Sequence, residues 1–142
     1  RKEYDKAYTY FQKSVSIKQK CYGDEHPEVA SGYANLASIY IQQVKYVEAL
    51  EHHKMALEIR KNYYGENHVE VAKSYNNVGV VLIKKGEREL ARECFTKALQ
   101  ISEKLLGENH PDSIRYRSNI YSMDNPKDDS QDTALLHFFS DW

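Results

Sequence analysis

A six-residue pattern recurs at a fixed interval and limits what this chain can fold into. Tyr22-Gly23-Asp24-Glu25-His26-Pro27, Tyr64-Gly65-Glu66-Asn67-His68-Val69 and Leu106-Gly107-Glu108-Asn109-His110-Pro111 place their glycines 42 residues apart, twice. A period of this size marks a repeat architecture, in which each unit buries its apolar face against its neighbours. Each copy joins a helix stop to a helix start. Glycine takes the left-handed conformation that closes a helix, and proline loses nothing in the first turn of the next, where its missing N–H has no partner anyway. The pattern reads as a hinge between helices.

Overlaying the copies predicts the helices. Residues 2–20 carry Ala7, Tyr8, Phe11, Val15 and Ile17 on one side. Helices follow at 27–43 (Val29, Tyr33, Leu36, Ile39, Tyr40) and 46–63 (Ala49, Leu50, Ala56, Leu57, Ile59), then at 69–85 and 88–105, split at Gly86. Small residues recur at matched places: Ala7, Ala49 and Ala91; Ser14, Ala56 and Ala98; Ala37 and Gly79. They let helix backbones approach closely, while Tyr40, Leu82, Phe11 and Phe95 fill the space between. The expectation is an all-α fold of antiparallel helix pairs stacked side by side.

Leu36-Ala37, Tyr40, Ala49 and Ala56, then Val78-Gly79, Leu82, Ala91, Phe95 and Ala98, resemble the tetratricopeptide repeat (TPR). The long period and the Gly-x-x-His-Pro junction are similar to the kinesin light chain form of that repeat. The resemblance covers residues 1 to about 120. It implies a right-handed solenoid of helix pairs acting as a protein-interaction scaffold in the cytoplasm, without catalysis or cofactor. Kinesin heavy chain or a cargo adaptor are the partners that the family would supply. The expected division is a second helix of a truncated repeat at 1–22, repeats at 23–64 and 65–106, and a degenerate C-terminal repeat at 107–142 with a capping helix at about 131–142. The chain begins at Arg1, inside a repeat, and reads as a fragment of something longer.

Composition narrows the partner. A net charge of −1 over 142 residues offers no overall attraction for nucleic acid or a membrane surface, and no apolar run is long enough to span a bilayer. Cys21 and Cys94 fit neither a disulfide framework nor a zinc spacing, in keeping with a reducing cytosol.

The hinge histidines His26, His68 and His110 invite a metal, but copies of one repeat position lie on the order of 10 Å apart. Zinc draws its ligands to within about 2.1 Å, so their expected role is to shape the hinge and to hydrogen-bond a free helix end. His53 occupies the position of Phe11 and Phe95 and reads as a packed ring. No phosphate-binding glycine loop, nucleophile elbow or His-Glu-x-x-His motif is present.

The binding candidates come from the resemblance. In tetratricopeptide domains the first helix of each pair lines the concave side, which maps the lining onto Ser31, Ala34, Asn35, Ser38 and Gln42. The next unit contributes Lys73, Asn76, Asn77, Val80 and Lys84, and the last Arg115, Ser118, Asn119 and Ser122. None is acidic, although the chain has 21 acidic residues. Asn35, Asn77 and Asn119 repeat at the 42-residue spacing, and an amide offers the donor and acceptor that grip a peptide backbone. Lys73, Lys84 and Arg115 would meet acids of an extended peptide. Lys73, Asn77 and Asn119 match part of the carboxylate clamp of chaperone-binding relatives, but its last basic pair has no counterpart. Acidic, tryptophan-containing cargo peptides of the kinesin light chain type suit the surface better.

The C-terminal stretch departs from the repeat. Arg117 stands where an aromatic residue belongs and Tyr121 where a small one does. Leu135, Phe138, Phe139 and Trp142 follow helical spacing, which predicts a cap. The same tail carries Asp128, Asp129, Asp132 and Asp141 and ends in tryptophan, so filling its own groove is the alternative, as is self-association with other repeats or copies.

Overall fold

The computed structural model describes residues 2–125, which form six helices. These are α1 (Lys2–Tyr22), α2 (Pro27–Gln42), α3 (Tyr46–Tyr64), α4 (Val69–Lys85), α5 (Arg88–Leu106) and α6 (Pro111–Asp124). The ends of α1 to α5 lie within two residues of the predicted ones. The expected cap at about 131–142 lies outside the described residues. Each helix packs on the next in the chain, from α1 on α2 through to α5 on α6.

Packing explains the small residues. A Cβ added at Gly79 would stand 2.7 Å from Phe95 Cε1, so the ring of α5 rests directly on the backbone of α4. A Cβ at Gly32 would likewise overlap Val15 of α1. Ala37, Val78, Ala91, Phe95 and Ala98 join one core spanning α2 to α6, and Val15, Val29, Leu36, Ala56 and Ile59 form a second around α1 to α3. Ile17 corrects the sequence reading. Expected on the packed side of α1, it is 61% exposed, whereas its counterparts Ile59 and Ile101 are 5% and 6% exposed. Among the described residues α1 packs extensively on α2, while α3 and α5 each pack extensively on two helices.

At the hinges, the glycine N–H still closes the preceding helix, as in Gly65 to the Lys61 carbonyl at 2.9 Å. The backbone at Gly65 (φ 88°, ψ 165°) and Gly107 (φ 94°, ψ 161°) is extended, however, not the left-handed helical form that the sequence suggested. That geometry, open only to glycine, directs the chain outward into an extended histidine. His26, His68 and His110 then cap the next helix. Each Nδ1 accepts a hydrogen bond from the N–H two residues on, at Glu28 (3.1 Å), Glu70 (3.0 Å) and Asp112 (3.1 Å). The imidazole takes the place of the usual Ser or Asp acceptor. Tyr22 stacks on His26 and Tyr64 on His68, with ring centres 4.3 and 3.9 Å apart.

The shorter turns share one hydrogen-bond pattern. Gly86 donates to the Ile83 carbonyl (2.9 Å) and Glu87 to that of Leu82 (2.8 Å). Val44 donates to Ile41 (2.9 Å) and Lys45 to Tyr40 (2.8 Å). Gly86 is left-handed at φ 87°, ψ 9°. Val44, at the equivalent position, holds a φ of 60°.

Candidate functional site

The helices that follow the hinges, α2, α4 and α6, carry the predicted lining. At about 100° per residue, positions spaced by three, four and seven share one side of a helix. Asn35, Lys73, Lys84, Arg115 and Ser118 are partly exposed there, and Gln42 is exposed. Asn76, Asn77, Val80 and Asn119 have no exposed surface, and Ser38 and Ser122 have 6% each. The asparagines are therefore structural members of this face. Asn119 Nδ2 donates to Asn76 Oδ1 at 2.7 Å, joining α6 to α4. That bond pairs Asn119 with the neighbour of its repeat counterpart Asn77, since adjacent helix residues point about 100° apart.

The cations are held by their own helices. Lys73 Nζ lies 3.4 Å from Glu70 Oε2 and Arg115 Nη2 3.5 Å from Asp112 Oδ1, each pair one helical turn apart. Both acids stand in the first turn of their helix, where the helix dipole favours negative charge. Partly exposed pairs of this kind hold their partners weakly, so a ligand carboxylate can compete for the cation.

A position overlooked in the sequence links successive helix pairs. Arg60 of α3 is almost fully buried and donates to Ser74 Oγ of α4 (2.8 Å) and to Ser31 Oγ of α2 (3.4 Å). Its repeat counterparts are Lys18, which pairs with Glu28 at 3.4 Å, and Ser102, 2.6 Å from Ser113 Oγ. The signal was present as a polar residue at the 42-residue spacing inside otherwise apolar helix faces.

Two other sequence candidates settle into the fold. His53 is 1% exposed. Arg117, in the place of Tyr33 and Tyr75, reaches Glu103 Oε2 at 2.9 Å and the Glu108 carbonyl at 3.0 Å. The three hinge histidines each cap a separate helix. Among the described residues no group of three His, Cys, Asp or Glu side chains is placed to hold a metal, and no helix is long and apolar enough to cross a membrane.

Comparison with known proteins agrees with this architecture. Tetratricopeptide repeat models match residues 1–62, 28–87 and 71–112. Among solved structures, the crystal structure of BtubC (BKLC) from P. vanneervenii is similar, with a TM-score of 0.79 and 27% sequence identity. The match covers 94% of this chain and 54% of that one, so the chain spans about half the length of this relative. No curated protein matches. Matched models across most of its length and six stacked helices place the chain in the tetratricopeptide repeat family, a helical solenoid whose members are generally non-enzymatic protein-interaction modules.

Proposed function

We propose that this chain is a kinesin light chain-like tetratricopeptide module that holds an extended, acidic peptide across the α2–α4–α6 face. One observation carries the reading. Lys73, Lys84 and Arg115 are partly exposed on these first helices, and none of the fourteen lining positions is acidic. Lys73, Lys84 and Arg115 contact carboxylates of the peptide, Asn35 and Ser118 its backbone. Asn76, Asn77, Val80, Asn119 and Ser38 form the floor beneath. The partner is a cytoplasmic cargo adaptor or a motor subunit of the kinesin heavy chain kind.

The acidic, tryptophan-ended tail supports a second reading, in which residues 128–142 fill the groove of the same chain or of another copy. Titration of a labelled peptide with tryptophan between acidic residues separates the two. Peptide bound at low salt, weakened roughly tenfold between about 50 and 300 mM salt and again by Lys73→Glu with Arg115→Glu, supports the groove. No binding at low salt removes it. Binding that emerges only when residues 128–142 are deleted favours the tail, and a mass that rises with concentration favours assembly between copies.

A further inference from the structure

A cavity of about 470 Å³ opens on the other side of α2. Gln19 of α1, the hinge acids Asp24 and Glu25, Tyr33 of α2, and Met55 and Ile59 of α3 line it. At about 100° per residue, Tyr33 lies about 140–160° round the helix from Ser31, Asn35 and Ser38. This groove therefore faces away from the proposed peptide surface.

Its floor is apolar and its rim is negative. Ile59 is buried and Met55 is 41% exposed, so a sulfur and methylene surface meets solvent beside the Tyr33 ring. Tyr33 is held by Gln19, whose Nε2 donates to the phenol oxygen at 3.2 Å. Asp24, Glu25 and Glu58 stand against one lining cation, Lys54. Glu58 already has Lys61 at 3.6 Å, and Glu25 accepts from Asn62 Nδ2 at 3.4 Å. The negative field reaches the floor: burial, Asp24 and Glu25 raise the Tyr33 phenol above its ordinary value, against the lowering effect of the Gln19 bond.

A second cavity of about 320 Å³ lies one helix pair further on, between α3 and α5 over Val78 and Leu82 of α4. The two share Lys54 and Glu58, so they flank a single ridge of α3. Leu57, Leu90 and Cys94 make the second one aliphatic where the first has Tyr33. Neighbouring hollows of this kind accept successive side chains of one segment. The first suits a long cationic residue, which lays its methylenes on Met55 and Ile59 and its head group between Asp24 and Glu25. The second suits a branched aliphatic side chain.

We propose that this outer face is a second peptide-docking surface, taking a partner segment in which an arginine or lysine is followed by aliphatic residues. The acidic rim repels an acidic peptide, so the two faces select ligands of opposite charge. Asp24, Glu25 and Met55 are exposed, and changing them leaves the core intact.

The test uses the full chain and a fluorescein-labelled peptide of alternating arginine and leucine, with a glutamate–leucine peptide as control. The arginine peptide is expected to bind in low salt and to lose about tenfold in affinity with Asp24→Lys plus Glu25→Lys. Met55→Ser is expected to weaken it several-fold, and Lys73→Glu on the opposite face to leave it unchanged. Equal binding of the glutamate peptide, or affinity that survives both the charge reversal and Met55→Ser, overturns the proposal. If the charge reversal disturbs folding, as read by circular dichroism, Met55→Ser alone decides.

Discussion

The helix pairs α2–α3 and α4–α5 share hinges, period and hydrogen-bond pattern, yet they solve two local problems with different residues. In the core, α4–α5 matches the missing side chain of Gly79 with the whole ring of Phe95, whereas the equivalent positions of α2–α3 hold Ala37 and the smaller ring of His53. In the turn, α4–α5 uses Gly86 for a positive φ, whereas α2–α3 puts the β-branched Val44 there. The repeat thus preserves backbone geometry and packed volume, not residue identity. The first pair carries backbone strain that the second avoids, since a β-branched residue at positive φ costs about 1–3 kcal/mol.

The core exchange gives the largest expected effect. Phe95→Ala is expected to cost about 3–5 kcal/mol by emptying the site over Gly79. Gly79→Ala is expected to cost about 1–3 kcal/mol, because the ring cannot give way without repacking. Combining Gly79→Ala with Phe95→His copies the other pair and is expected to cost less than the summed costs of Gly79→Ala and Phe95→His made separately. Wild type, these two single variants and the double variant form one cycle. Denaturant unfolding of the four proteins measures this coupling, and strict additivity means that the two pairs do not exchange volume in this way.

The turn predicts a gain. Val44→Gly releases the strained φ and is expected to stabilise the chain by about 1 kcal/mol, even after the entropy that glycine costs. Gly86→Val is expected to lose a similar amount. Opposite signs in thermal unfolding support the comparison. The same sign for both contradicts it.

The smallest effect lies at alkaline pH. Burial, then its hydrogen bond to Tyr8 at 3.1 Å, pushes the Tyr40 phenol up to about 12, while the equivalent residue of the second pair is Leu82. The folded state favours the protonated phenol. Its contribution is therefore fully present below the unfolded value near 10 and is lost as pH rises through about 12. Tyr75, raised by burial and by its bond to Glu66, loses its contribution over the alkaline range as well. Tyr40→Phe should flatten the fall in stability above about pH 10 without removing it. An unchanged slope assigns the alkaline loss to other groups.

Several features were legible in the residues because they are local. Gly65 with His68, repeated 42 residues away on both sides, marked every hinge. The capping role of these histidines follows from their place before an acidic first turn. Val44 escaped because nothing in a Gln-Val-Lys turn signals a positive φ. The burial of Asn76, Asn77 and Asn119 escaped for another reason: periodicity tells which side of a helix a residue occupies, not how closely the next helix approaches it. Arg60 and the outer groove belong to the same class. Tyr33 and Ile59 read as core residues, and only three helices together leave a cavity over them.

Binding of an acidic peptide to the α2–α4–α6 face can be followed directly. Amide nitrogen–proton spectra of the full chain, titrated at low salt with a peptide holding tryptophan between acidic residues, test it residue by residue. Signals of Asn35, Lys73, Arg115 and Ser118 are expected to move while those of Tyr33, Met55 and Glu58 stay. Shifts gathered on Tyr33, Met55 and Glu58, or no shifts at all, would contradict it.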